Sequence, residues 1–163
     1  MNTLCYALIV ATVIANDANK TFAEMADEYG FKSEEHEVIT DDGYILKVLR
    51  IPGLKNDNSI NKPPVFMQHG IFANGECFTI NHPDVAPAYV AARAGYDIWL
   101  GNSRGNNYST GHTHLDPNKD SKQYWNFGWE EMGTLDLKAA LNHVTETTGQ
   151  SKVAYIGHSQ GTA

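Results

Sequence analysis

The stretch that decides the fold is "VAYIGHSQGTA", residues 153–163. Four apolar or aromatic residues run directly into Gly157-His158-Ser159-Gln160-Gly161, which fits the pattern G-x-S-x-G. A serine nucleophile of this type needs a strained strand-to-helix turn, because only that turn lifts the hydroxyl clear of the sheet, and small flanking residues let the backbone make it. The segment predicts a nucleophile elbow with Ser159 as nucleophile and Gly157 and Gly161 as its glycines. The alternative is a glycine-rich turn with an idle serine.

A second element, His69-Gly70-Ile71-Phe72, comes directly after the apolar run "PVFMQ". An acyl-transfer enzyme stabilises its oxyanion with two backbone N–H groups. One belongs to the residue after the nucleophile and the other to the loop after this strand. Ile71 and Gln160 occupy those two places and are the predicted oxyanion hole. Taken alone, His-Gly after a strand is also a common turn.

The rest of the chain predicts an α/β fold. Apolar residues alternate on both sides of Asp42-Gly43, which predicts a hairpin with strands near 35–40 and 44–51. Short buried strands and helix-forming segments then alternate along the chain. This order implies right-handed crossovers, so an antiparallel hairpin leads into a mostly parallel sheet with crossover helices. The strands expected after the hairpin are "PVFMQ", "YDIWL" and "KVAYIG", and the helices are "VAPAYVAARAG" and "WEEMGTLDLKAALNHVTETTG".

Composition limits the class of protein. The chain has 163 residues, of which 42% are hydrophobic and 19% charged, as in ordinary globular domains. The formal net charge of −7 argues against a nucleic-acid partner, because phosphate binding needs clustered Lys and Arg. No internal repeat or low-complexity tract divides residues 16–163, which we treat as one domain.

The N-terminus "MNTLCYALIVATVIANDANK" is typical of a secretory signal peptide. Residues 4–15 are almost wholly apolar but too short to span a bilayer, so no stable transmembrane anchor is expected. Val13-Ile14-Ala15 supplies the small-residue pattern before a cleavage site, and we expect residues 1–15 to be removed. Cleavage would leave Cys77 as the only thiol of this stretch. A buried N-terminal helix is the alternative.

Five blocks together resemble the acid lipase family, which includes gastric and lysosomal acid lipases. They lie in family order over about residues 33–163 and are "SEEHEVITDDGYILKVLRIP", "FMQHGIFA", "AGYDIWLGNSRGN", "EEMGTLDL" and "YIGHSQGT". The resemblance implies the α/β-hydrolase fold and hydrolysis of triglycerides or cholesteryl esters at a lipid–water interface. It also implies Ser159 as nucleophile, Ile71 and Gln160 as oxyanion hole, and a secreted or lysosomal location. No metal or organic cofactor is implied.

The histidines depart from the family pattern. In this fold the triad runs in the order Ser, then Asp or Glu, then His. His158 is adjacent to Ser159, so its side chain should point away across the elbow. The chain therefore resembles the N-terminal part of a longer lipase, cut just after the elbow, and is expected to be inactive alone. All seven histidines precede Ser159: His36, His69, His82, His112, His114, His143 and His158.

Two other function classes fit the same residues. An esterase or thioesterase of the same fold would differ in its chain-length preference and interfacial activation. A non-catalytic secreted fragment would bind lipid or a partner without turnover. Because a fold alone does not fix a substrate, the lipase interpretation rests on the family resemblance.

The remaining candidate residues leave alternatives open. His112 and His114 could be metal ligands, but histidines two apart in a polar loop are more often solvated. Arg104 could anchor a loop near the site. Asn107-Tyr108-Ser109 is an N-glycosylation sequon, which makes Asn107 a glycosylation candidate. Three aromatic residues suit either an acyl pocket or core packing: Trp125, Phe127 and Trp129.

Overall fold

The computed structural model describes residue 17 and residues 19–163. The predicted signal peptide, residues 1–15, lies outside the described residues. In the part that is described, no helix has both the length and the apolar character needed to cross a membrane.

One mixed sheet organises the described chain. Its strands follow the order β1-β2-β4-β3-β6, and β5 pairs separately with β2. The pairs β1/β2 and β2/β4 are antiparallel, whereas β3 is parallel to both β4 and β6. The predicted hairpin at one edge of a parallel sheet is therefore confirmed. The strands are β1 (Glu34–Ile39), β2 (Tyr44–Ile51), β3 (Pro64–Gln68), β4 (Asp97–Leu100), β5 (Gly111–His112) and β6 (Ala154–Gly157).

Both predicted helices are present, and the chain also forms short helices that were not predicted. The second one is interrupted by a π-helical stretch, Met132–Leu137, and ends at Gly149, whose φ of 67° is the left-handed value favoured at helix C-termini. The helix α1 was not predicted. It begins after Thr21, whose hydroxyl and Glu24 form a capping box. The helices are α1 (Phe22–Glu28), α2 (Pro87–Arg93), α3 (Ser121–Tyr124), α4 (Trp129–Glu131) and α5 (Lys138–Thr148).

The core lies on both faces of the sheet because successive strand residues point to opposite sides. In β4, Ile98 and Leu100 pack with α1 and α2 in one apolar cluster, while Trp99 packs with α3 and α5 in the other. All three side chains are fully buried. In sheets covered by helices on both faces, ligands bind beyond the ends of the strands, and the candidate site lies at such an end.

Candidate active site

Ser159 lies in the turn that follows β6. Its φ is 56°, an uncommon value for a residue with a side chain, and the residue is exposed. Such backbone strain concentrates at functional sites. A 3₁₀ turn, Ser159–Thr162, follows at once, so the chain makes the predicted strand–turn–helix sequence.

The two glycines of the elbow permit close backbone packing. A Cβ at Gly157 would overlap the carbonyl of Gly161, and a Cβ at Gly161 would lie 2.5 Å from the carbonyl oxygen of Gln68. The N–H of His158 also donates to that oxygen, at 3.0 Å. The elbow is thereby attached to the C-terminal end of β3, where the loop that begins at His69 starts.

The predicted oxyanion residues flank Ser159. A Cβ placed on Gly70 would lie 3.2 Å from Oγ of Ser159, so the loop carrying Ile71 contacts the serine directly. Among the described residues, the backbone N–H groups of Ile71 and Gln160 donate no hydrogen bond. The structure thus places the loop that carries Ile71 against Ser159, with Gln160 next to the serine in the following turn.

His69 holds the orientation of the peptide that carries the Ile71 N–H. The Ser103 N–H donates to Nε2 of His69 at 3.2 Å, so that nitrogen is unprotonated and the ring proton is on Nδ1. Nδ1 then donates to the carbonyl of Gly70 at 2.7 Å. In a trans peptide the next N–H points the opposite way, so the Ile71 N–H is directed away from His69. Burial lowers the pKa of His69, which favours this neutral form.

The loop after β4 holds the other end of the same segment. Oδ1 of Asn102 accepts the Gly75 N–H at 2.8 Å, and Nδ2 of Asn74 donates to Oδ1 of Asn107 at 3.1 Å. Between these anchors Phe72 has a φ of 60° and is fully exposed. The segment from His69 to Gly75 is therefore fixed at both ends and strained in the middle.

A cavity of about 490 Å³ opens beside the elbow. Ile71 and Gln160 lie at one side of it, and all three aromatic residues singled out in the sequence line its wall: Trp125, Phe127 and Trp129. More of its exposed lining is apolar than polar. Trp125 and Trp129 are exposed, whereas Phe127 also packs against the buried cluster that contains Trp99.

Arg104, whose role was not readable from the sequence, is buried and binds two carboxylates, the buried Asp136 and the exposed Asp42. Its guanidinium makes two hydrogen bonds to Asp42, at 2.6 and 2.9 Å, and its Nε donates to Asp136 at 2.8 Å. The ring of Tyr44 lies 3.9 Å from the guanidinium carbon. Asp136 could not be singled out in advance, because nothing in the local sequence shows that this aspartate is buried or that Arg104 is its partner.

The two histidines considered as metal ligands make other contacts. Nδ1 of His112 accepts the backbone N–H groups of His114 and Leu115, at 3.0 and 3.1 Å, which caps a turn. Within the described ranges, no group of three or more His, Cys, Asp or Glu side chains is arranged to hold a metal ion.

The glycosylation candidate Asn107 is exposed at the rim of the cavity, and the hydroxyl of Ser109 is buried. The sequence also carries a second sequon, Asn19-Lys20-Thr21. Asn19 is exposed at the start of α1, and Thr21 caps that helix. Cys77 is half-buried and unpaired in the described chain.

Comparison with known families agrees with this geometry. The family model described as "alpha/beta hydrolase fold" matches residues 63–163, which is more than half of the chain. The chain belongs to the alpha/beta hydrolase fold family. A second model, described as "Partial alpha/beta-hydrolase lipase region", matches residues 22–82. The α/β-hydrolase fold class predicted from the sequence is confirmed.

Curated relatives support the resemblance to gastric lipases. The chain is 46% identical over 148 residues to gastric triacylglycerol lipase of Mus musculus and 43% identical to that of Homo sapiens. It is also 43% identical to Lipase 1 of Drosophila melanogaster. These alignments cover 90–91% of this chain but only 32–37% of each relative, so the chain spans about a third of their length.

Solved structures show the same fold at low sequence identity. An esterase of Pyrococcus furiosus superposes with a TM-score of 0.60 at 19% identity, covering 88% of this chain and 46% of that one. The esterase Est22 superposes with a TM-score of 0.52 at 20% identity, over 98% of this chain and 44% of that one.

Proposed function

We propose that the whole protein is a serine ester hydrolase acting on neutral lipids, a triglyceride or cholesteryl ester lipase, through an acyl-serine intermediate. The observation that carries the proposal is Ser159, held at a φ of 56° beside the N–H groups of Ile71 and Gln160. The relatives named gastric triacylglycerol lipase supply the substrate class.

In this mechanism Oγ of Ser159 attacks the ester carbonyl carbon. The carbonyl oxygen becomes an oxyanion and accepts hydrogen bonds from the Ile71 and Gln160 N–H groups, which are already fixed in place and need no reorganisation. Collapse of the tetrahedral intermediate expels the alcohol and leaves an acyl-Ser159, which water hydrolyses. The general base and its carboxylate partner are proposed to follow Ser159 in the full-length protein. That base would take the proton from Oγ during the attack and give it to the leaving alcohol, and it would take a proton from the water in the second step.

The cavity beside the elbow suits an acyl chain. Its aromatic wall, formed by Trp125, Phe127 and Trp129, offers apolar contact to such a chain. Burial of each methylene of a fatty acid stabilises the complex by about 0.8 kcal/mol. We further propose that the protein reaches its lipid substrate after entering the secretory pathway, and that it is secreted or lysosomal.

The decisive experiment is Ser159→Ala in the full-length protein. Loss of the nucleophile should reduce ester hydrolysis by roughly 10⁴–10⁶-fold. Ser151→Ala, at an exposed position before β6, is the matched control and should leave the rate unchanged. Activity of Ser159→Ala within about tenfold of wild type would contradict the assignment.

Assays of the wild type on emulsified triglyceride and on soluble short-chain esters separate the rival interpretations. A lipase should hydrolyse the emulsion, whereas an esterase should act only on the soluble esters. Saturable lipid binding with no turnover of either substrate would indicate a binding protein.

A further inference from the structure

The π-helical stretch Met132–Leu137 forms part of the wall of the cavity. Met132, Gly133 and Leu137 face the cavity, and Sδ of Met132 lies 3.8 Å from Nε2 of Gln160. A π-helical turn contains one residue more than an α-helical turn and is less favourable, so it persists only where other contacts hold it. Its presence between α4 and α5 requires such contacts.

Asp136 supplies them from the other side of the same turn. Its carboxylate is buried and accepts two hydrogen bonds from Arg104: Oδ1 from Nε at 2.8 Å and Oδ2 from the backbone N–H at 2.9 Å. The guanidinium of Arg104 also donates two hydrogen bonds to Asp42 in the β1–β2 hairpin. Burial raises the pKa of Asp136, and the hydrogen bonds from Arg104 oppose that rise.

We propose that Asp136 is a positioning residue for acyl-chain selectivity: bound to Arg104, it holds the π-helical turn that places Met132 and Trp129 against the acyl pocket. This inference rests on the proposed function. Without the anchor, the turn relaxes toward α-helical geometry. Met132 then moves away from Gln160 and the pocket loses part of its wall. Long acyl chains bury more apolar surface against that wall than short chains do, so they lose more contacts.

The two carboxylates on Arg104 provide a matched pair of variants. Asp136→Asn and Asp42→Asn each weaken one ion pair to the same guanidinium, but only Asp136 lies on the helix that forms the pocket wall. The experiment measures kcat and KM of the full-length protein and both variants on p-nitrophenyl butyrate and p-nitrophenyl decanoate. The melting temperature of each protein reports the structural effect separately.

Asp136→Asn should lower the ratio of kcat/KM for decanoate to that for butyrate by about tenfold, mainly by raising KM for decanoate. A factor of this size is what the loss of one or two methylene contacts produces. Asp42→Asn should keep the wild-type ratio even where its melting temperature falls. If Asp136→Asn gives no folded protein, Asp136→Glu replaces it. That variant keeps the charge but lengthens the link by one methylene, and it must shift the same ratio.

Two results would overturn the inference in different ways. Suppose that the wild type is active but the Asp136 variant has the same decanoate-to-butyrate ratio, or that Asp42→Asn changes this ratio equally. Either result would overturn the positioning role alone. A wild type that hydrolyses neither ester would overturn the proposed function and this inference with it.

Discussion

Gly70 and Ser159 lie so close together that a Cβ added to Gly70 would lie 2.7 Å from the Cβ of the serine. Ordinary Cβ contacts are never that short, so only glycine fits at position 70 without a shift of one of the two loops. The contact connects the loop after β3 to the elbow after β6. It therefore sets where the Ile71 N–H lies relative to Oγ of Ser159.

The first prediction concerns Gly70→Ala. The added methyl group would push the two loops apart and move the Ile71 N–H away from the oxyanion. A displacement of about 1 Å in a reacting geometry costs on the order of 10²-fold in rate, and we expect kcat to fall by at least that factor with a smaller change in KM. Steady-state kinetics on a soluble ester measure both quantities.

Gly128→Ala is the control for that variant. The closest atom to a Cβ at Gly128 would be Oε2 of Glu131, at an ordinary contact distance of 3.6 Å, and its φ of −124° suits any residue. It should retain wild-type kcat. Equal activity in both variants would show that the Gly70 contact does not position the oxyanion loop.

The second prediction is a pH dependence set by His69. Burial lowers the pKa of His69 below its ordinary value of about 6.5, and its Nε2 must stay unprotonated to accept the Ser103 N–H. Well above pH 6.5 the ring is neutral in both the folded and the unfolded chain. His69 therefore makes the free energy of unfolding independent of pH in that range as far as its own titration is concerned. As the pH falls below that value the unfolded chain binds a proton first, and stability decreases until the lowered native pKa is passed.

His69→Asn tests this dependence because an amide does not titrate. The decrease in melting temperature between about pH 7 and pH 5 should be smaller in the variant than in the wild type. Burial and the nearby His36 also lower the pKa of His143, and that background stays the same in both proteins. Identical slopes would contradict the role given to His69.

Local sequence patterns were sufficient for the sheet and for the elbow. Asp42-Gly43 between alternating apolar residues specifies a hairpin whatever surrounds it, and the observed strands Glu34–Ile39 and Tyr44–Ile51 are within a residue of the predicted ones. The turn at Ser159 could likewise be predicted from neighbouring residues, because an apolar strand followed by Gly-x-Ser-x-Gly is a short continuous pattern. The assignment of Ile71 and Gln160 to an oxyanion hole stays a prediction.

The network around Arg104 could not be predicted because it depends on distant segments. Arg104 is 62 residues from Asp42 and 32 residues from Asp136. No periodicity relates the three positions, and only the folded sheet brings them together. The π-helical turn escaped prediction for a similar reason, because the tertiary contact of Asp136 overrides the α-helical preference of its neighbours.

The third prediction concerns the N-terminus. The apolar run of residues 4–15 and the Val13-Ile14-Ala15 pattern should direct the chain into the secretory pathway, and the mature protein should begin at Asn16. N-terminal sequencing of protein expressed in a eukaryotic secretory host measures this directly. Recovery of soluble cytosolic protein that retains Met1 would contradict the prediction.

The fourth prediction is that residues 1–163, expressed alone, neither hydrolyse esters efficiently nor form a stable monomer. None of the seven histidines follows Ser159. His158 is adjacent to the serine in the elbow, and His69, at the start of the loop that contacts it, uses both ring nitrogens in other hydrogen bonds. A triad enzyme without its base keeps only the small rate that oxyanion donors and binding supply.

Strand β6 gives the structural part of this prediction. In the described chain β6 pairs only with β3, and Tyr155 and Ile156 are 40% and 46% exposed. An unpaired strand edge with exposed apolar side chains favours association between copies. We expect size-exclusion chromatography with light scattering to detect oligomers or aggregates. A monodisperse, cooperatively unfolding monomer that turns over a chromogenic ester at the rate of the full-length protein would show instead that a histidine among the seven acts as the base.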